Sequence, residues 1–184
     1  MIKVIRYIFI LLLFVVASTG CKRAQLRAQL KELMGSTIVL PEKTTCVHNG
    51  EIYPMPDSLR NKPKLIVYID STECTTCRIS HFWEYQEIFD LSAQTKAFEV
   101  MLLLCNTDFE SIPLTRYLSD RELINPVYVD TDNAFLKDNP AIPPDARMHS
   151  LLVDSTGTPM FVGDPIRSEQ MMAAFKIALR GKPK

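Results

Sequence analysis

The chain has no surplus of either charge, with 21 Lys and Arg against 21 Asp and Glu. Without a basic excess there is no electrostatic case for a nucleic-acid partner. It also has no apolar run of the roughly 20 residues that crossing a bilayer takes. The longest, from Tyr7 to Ala17, is only about half that. No Gly-x-Ser-x-Gly sequence occurs, so the nucleophile elbow of a serine hydrolase is missing. Histidine is scarce, with three copies, and none is placed to act as base for a catalytic cysteine.

What is there begins with an export signature. Lys3 and Arg6 precede the apolar run, and small residues lead from it to Cys21, the pattern of a secretory signal. Ser18, Thr19 and Gly20 ahead of Cys21 resemble a bacterial lipobox, with Ser18 where a leucine is more usual. That resemblance implies cleavage before Cys21 and a lipid on it, which would hold the protein to a membrane of the cell envelope. Residues 1–20 carry two basic and no acidic side chains, so the remainder has two more acidic than basic residues. That remainder is long enough for one domain with its own core and does not need disulfides to fold.

After Cys21, Leu26, Leu30 and Leu33 fall at helical spacing and Gly35 closes the segment. The expectation for 21–40 is a membrane-proximal tether, either a short helix on the membrane surface or a solvated linker. Residues 41–184 then form the domain. "STIVLP" and "EIYPMP", separated by "HNG", predict an edge hairpin in which Pro54 and Pro56 disfavour a central strand. "KPKLIVYID" and "FEVMLLLCN" read as strands buried on both faces, and "PVYVD" as a third. Between the first two, the pattern from Cys77 to Leu91 is helical, with Ile79, Phe82, Trp83 and Phe89 on one stripe. Further helices are expected at "SIPLTRYLSDREL", with Pro113 in its first turn, and at "TDNAFLKDN", capped by Thr131 or Asp132. A hairpin of "SLLVD" and "PMFVG" precedes a closing helix, N-capped by Ser168 and stopped by Gly181. This order implies an α/β fold, a central mixed sheet with helices on both faces.

Cys74 and Cys77 stand between the first buried strand and the helix after it. A cysteine at a helix start meets unpaired N–H groups and the positive end of the dipole, both of which favour thiolate. Thiolates, not thiols, attack disulfides. Spacing of three returns Cys77 to within a turn of Cys74. Cys74 is therefore read as the exposed nucleophile and Cys77 as the resolving, shielded partner. A rival set is Cys74, Cys77 and His81, near one helix face, for copper or zinc, although a fourth ligand is missing. A non-catalytic envelope lipoprotein is the other alternative, and it has little reason to keep the pair. A peroxide-reducing enzyme would place one peroxidatic cysteine in a different motif. Cys105 reads as a buried apolar thiol and Cys46 as an exposed residue before a turn. Nothing requires them to pair.

Residues 40–180 resemble a thioredoxin-like domain of exported, membrane-anchored thiol–disulfide oxidoreductases, the TlpA and ResA group. "YIDSTECTTC", "HSLLVDSTGTP" and "VGDPI" are similar to thioredoxin-domain lipoproteins of Bacteroidetes. The resemblance implies that Cys74 and Cys77 are the redox pair. It also implies exported cysteine-containing proteins as partners, a membrane thiol reductant as donor, and no cofactor. Thioredoxins usually carry tryptophan before the first cysteine. Here Glu73 stands there and opposes thiolate formation, while Arg78 pulls the other way. Their buried acid would align near Tyr68. Asp70, on the same strand face, is either its substitute or a loop cap. Their cis-proline would align with Met148, so a trans peptide is expected after Arg147, with Met148 or His149 near Cys74.

Overall fold

The computed structural model describes residues 23–109, 112–121 and 123–181. The chain begins there with helix α1 (23–34). It continues through β1 (Thr44–His48), β2 (Glu51–Pro54), α2 (Asp57–Arg60), β3 (Lys64–Ile69) and α3 (Thr75–Ser80). A 3₁₀ turn, Phe82–Tyr85, leads into α4 (Gln86–Thr95) and β4 (Glu99–Cys105). The short pair β5 (Asp108–Phe109) and β6 (Ile112–Pro113) precedes α5 (Leu114–Ser119), β7 (Val127–Asp130) and α6 (Phe135–Asp138). The last elements are β8 (Ser150–Val153), β9 (Pro159–Val162) and α7 (Glu169–Leu179).

Seven strands form one sheet in the order β2-β1-β7-β4-β3-β8-β9. Its centre is parallel, β3 with β4 and β4 with β7, as helical crossovers require. The two antiparallel edges are hairpins, β1–β2 and β8–β9. Every residue of β3 is buried, which accounts for the β-branched and apolar run from Leu65 to Ile69. Alternation divides them: Leu65, Val67 and Ile69 enter one core with Ile88, Leu118 and Phe175. Ile66 and Tyr68 enter the other with Leu33, Leu59 and Phe135. Both faces of the sheet are thus covered, in agreement with the expected fold class.

Several local readings change. "STIVLP" is not a strand. Val39 N donates to Asn139 Oδ1 and Val39 O accepts from Asn139 Nδ2, both at 2.8 Å. Ile38 N donates to Gly157 O, so this segment's backbone is satisfied by loops, and the hairpin uses "TTCVH" instead. The turn of that hairpin, Asn49 and Gly50, is left-handed at both residues, as a two-residue loop demands. The helix after Cys77 breaks at His81 (φ −104°, ψ 7°). There Ser80 Oγ takes the Cys77 carbonyl at 2.7 Å. The 3₁₀ turn that follows shifts the helical phase, so Tyr85 and Ile88 are buried and Trp83 is 69% exposed. Neither Thr131 nor Asp132 caps α6. Asp130 does, accepting from Ala134 N and Phe135 N. Helix α7 has the Ser168 cap, with Oγ accepting from Met171 N, and Gly181 follows its end at φ 77°. Helix α1 rests on the domain through Leu33, which is fully buried.

Candidate active site

Cys74 and Cys77 lie just past the C-terminal end of β3, where the parallel strands β4 and β7 also end. Open α/β sheets present ligands and reactive groups at such ends. The two cysteines are joined in a disulfide, with Cα atoms 5.3 Å apart. Cys74 is the N-cap of α3, and its Sγ accepts the backbone N–H of Cys77 at 3.4 Å. Helix α3 has only six residues, so a thiolate here would be stabilised by nearby N–H groups more than by a long macrodipole. Both cysteines are exposed, which corrects the expectation that Cys77 is shielded. A helix of six residues ending at Ser80 leaves the Cys77 residue open to solvent.

Glu73 and Arg78 do not act as two independent charges. Arg78 Nε lies 3.5 Å from Glu73 Oε2, and Arg78 also donates to the Tyr85 hydroxyl at 3.4 Å. The Tyr85 hydroxyl in turn donates to Asp164 at 2.7 Å. Burial pushes the Glu73 carboxyl up, and Arg78 pulls it partly back. The charge of Asp70 adds to the rise, while His149 opposes it.

Of the two roles considered for Asp70, the loop cap is the one its contacts display. Its Oδ1 caps the loop, accepting Thr72 N at 2.7 Å and Thr72 Oγ1 at 2.6 Å. Its Oδ2 faces His149 Nδ1 at 3.7 Å. His149 is 1% exposed, and its Nε2 lies 3.0 Å from the Pro143 carbonyl. The described residues contain no cis peptide, so the bond between Arg147 and Met148 is trans, as expected. Met148 turns into the core with Leu33 and Ile66, which leaves His149 to face Asp70. The sequence places Met148 or His149 near Cys74 but gives no sign of the contact with Asp70. The pairing of β3 with β8, Val67 opposite Ser150, brings His149 there: Tyr68 N donates to His149 O.

The other two cysteines among the described residues, Cys46 and Cys105, are free and buried. Cys46 is 1% exposed, contrary to its reading as an exposed residue, because β1 turns it into the core. Burial pushes its thiol up, with the Tyr53 and Tyr128 hydroxyls bonding to it in partial opposition. Cys105 is not in a purely apolar site. Its Sγ lies 3.0 Å from Asn133 Oδ1, and burial pushes its thiol up as well. Both therefore stay protonated and weakly nucleophilic. His81 is exposed and bonds Glu84 at 2.7 Å. Among the described residues no group of three or more His, Cys, Asp or Glu is arranged to hold a metal. Cys21 lies outside the described residues. Beside α3, a cleft of about 180 Å³ is lined in part by Ile79, Ser80, Trp83 and Ile124.

No protein-family model matches the chain, and no curated protein matches it. Solved structures do. Enterococcus faecalis AhpC aligns with a TM-score of 0.50 at 12% identity, over 80% of this chain and 95% of its own. A putative thiol:disulfide interchange protein DsbE from Chlorobium tepidum gives 0.47 at 16%, over 78% and 98%. The reduced 2-Cys peroxiredoxin of Plasmodium vivax gives 0.49 at 16%, over 79% and 97%. The likeness to AhpC, taken with the sheet order, shows a thioredoxin-like fold.

Proposed function

We propose that this protein is a thiol–disulfide oxidoreductase of the cell envelope. In this reading Cys74 and Cys77 exchange disulfides with exported cysteine-containing proteins. Lipid on Cys21 holds the chain to a membrane, and a membrane thiol reductant restores the dithiol. The observation that carries the reading is the sulfur of Cys74 at the start of α3. It accepts the Cys77 N–H while bonded to Cys77, and both residues are exposed. The same N–H that touches the sulfur now would stabilise it as a thiolate after reduction. The exposed Trp83 and Ile124 line the cleft beside α3 and offer an apolar surface for a partner polypeptide. Among the described residues, no helix is long and apolar enough to cross a membrane.

Equilibration with defined ratios of oxidised and reduced glutathione, followed by counting free thiols, tests the redox role. A single two-electron transition that disappears in Cys74→Ser supports it; a Cys74–Cys77 bond indifferent to the buffer would rule it out. Anchoring is tested by metabolic labelling with a fatty acid. The wild type should carry the label and Cys21→Ser should lose it, while an unlabelled wild type would end the anchoring proposal.

A further inference from the structure

Among the described residues, one buried side-chain nitrogen or oxygen has no hydrogen-bond partner, Nδ1 of His149. A buried polar atom left unpaired carries an uncompensated desolvation penalty, so its surroundings call for an explanation. The Pro143 carbonyl can only accept, so Nε2, 3.0 Å from it, bears the hydrogen. In its neutral form the ring would turn the bare lone pair of Nδ1 toward Asp70 Oδ2, 3.7 Å away. That distance is too long for a hydrogen bond and short enough for an ion pair. Asp70 Oδ1 is already occupied by Thr72, whereas Oδ2 has no other partner. In that form two acceptor atoms would face each other, and a proton on Nδ1 would turn the contact into an ion pair.

The charges around this position are unbalanced. Asp70 and Glu73 face the imidazole from the β3 end, and Asp145 from the turn before β8. Of the two cations nearby, Arg78 is paired with Glu73 and Arg147 with Asp145. The Tyr68 ring packs at 6.0 Å, and its hydroxyl bonds Cys105, with Asp130 close by. One carboxylate is thus left without a cation, and the next residue after Glu73 is Cys74. Converting Cys74 to a thiolate would add a further negative charge next to Glu73, on the side of the imidazole that already carries the unpaired carboxylate.

We propose that reduction of the Cys74–Cys77 disulfide is accompanied by protonation of His149 at Nδ1. The proposal rests on reading that disulfide as the working redox couple. Two electrons from a dithiol donor break the S–S bond, and the donor becomes a disulfide and releases two protons. One of these forms the Cys77 thiol. The other goes to His149 Nδ1, between the ring and Asp70 Oδ2, and leaves Cys74 as the thiolate. On reoxidation the thiolate attacks a partner disulfide. Cys77 then gives up its proton and attacks Cys74, and the two departing partner thiolates take up the protons from Cys77 and His149. His149 is a positioning residue here, setting which atom holds the second proton.

The test is ¹⁵N NMR of histidine-labelled protein, oxidised and reduced at the same near-neutral pH. Reduction should shift His149 Nδ1 from a bare to a protonated ring nitrogen, with His48, on the far β1 strand, as the unchanged reference. In reduced His149→Gln, whose second proton has only sulfur to go to, the ultraviolet absorbance of the Cys74 thiolate should appear at higher pH than in wild type. An imidazole with the same protonation in both redox states would overturn the proposal, as would an unmoved thiolate titration in the variant. If reductant leaves the thiol count unchanged, the redox reading itself has failed, and that result is distinct from either of these.

Discussion

Glu73 and Arg78 form an ion pair that brackets the cysteine pair in sequence, with Glu73 Oε2 3.5 Å from Arg78 Nε. Each neutralises part of the other's influence on Cys74, so removing either should expose the charge that remains. Glu73→Gln should speed alkylation of reduced Cys74 at neutral pH, and Arg78→Ala should slow it, each by roughly two- to tenfold. Rates with iodoacetamide, an uncharged probe, check both. Changes of the same sign in the two variants would show that the pair does not control the sulfur.

The two cysteines should differ in trapping even though both are exposed. Only Cys74 Sγ receives the Cys77 N–H, and a backbone donor survives a side-chain substitution. Cys77→Ser should therefore accumulate mixed disulfides with partner proteins, visible on non-reducing gels, several-fold above Cys74→Ser. Equal yields would mean that the N–H confers no preference.

Asp145 provides a defined pH signature. Hydrogen bonds from the Arg147 side chain hold its carboxyl down at about 2. A folded-state value below the unfolded one, about 3.9, means the ionised form favours folding. That contribution is complete above about pH 4 and fades as pH falls toward 2. Denaturant midpoints of wild type and Asp145→Asn should converge across this window. A constant gap from pH 5 to 2 would contradict the linkage.

Gly157 sits at φ 85° in the β8–β9 turn, where an added Cβ would collide with the Ile38 carbonyl oxygen. Gly157→Ala combines left-handed strain with a backbone clash and should cost about 1–3 kcal/mol. For a chain of this size that lowers Tm by roughly 2–10 °C. An unchanged melting curve would show that the 37–40 segment yields freely.

The sequence disclosed most where a residue's fate depends on its immediate neighbours. The β-branched run of β3 and the Ser168 and Gly181 boundaries of α7 lie where their local chemistry puts them. So do Cys74 and Cys77, at the junction of a buried strand and a helix. What was hidden depends on contacts distant in sequence. Val39 is held out of a strand by Asn139, one hundred residues away. Asp130 takes over the capping of α6 because its position at the end of β7 aims both oxygens at the next two donors. Trp83 is exposed because the turn after His81 rotates the helical face. His149 meets Asp70 only once β8 has paired with β3.

The contact of Ile38 with Gly157 also has a mechanical side. Residues 38–42 are fastened where β3 begins: Ile38 N to Gly157 O, and the Leu40, Pro41 and Glu42 carbonyls to the Arg60 guanidinium. The cysteine loop lies at the other end of β3, six residues and about 20 Å away. A pull delivered through the N-terminal segment would load the β8–β9 turn and Arg60 first. The loop that carries Cys74 would remain slack while the opposite pole bears the tension.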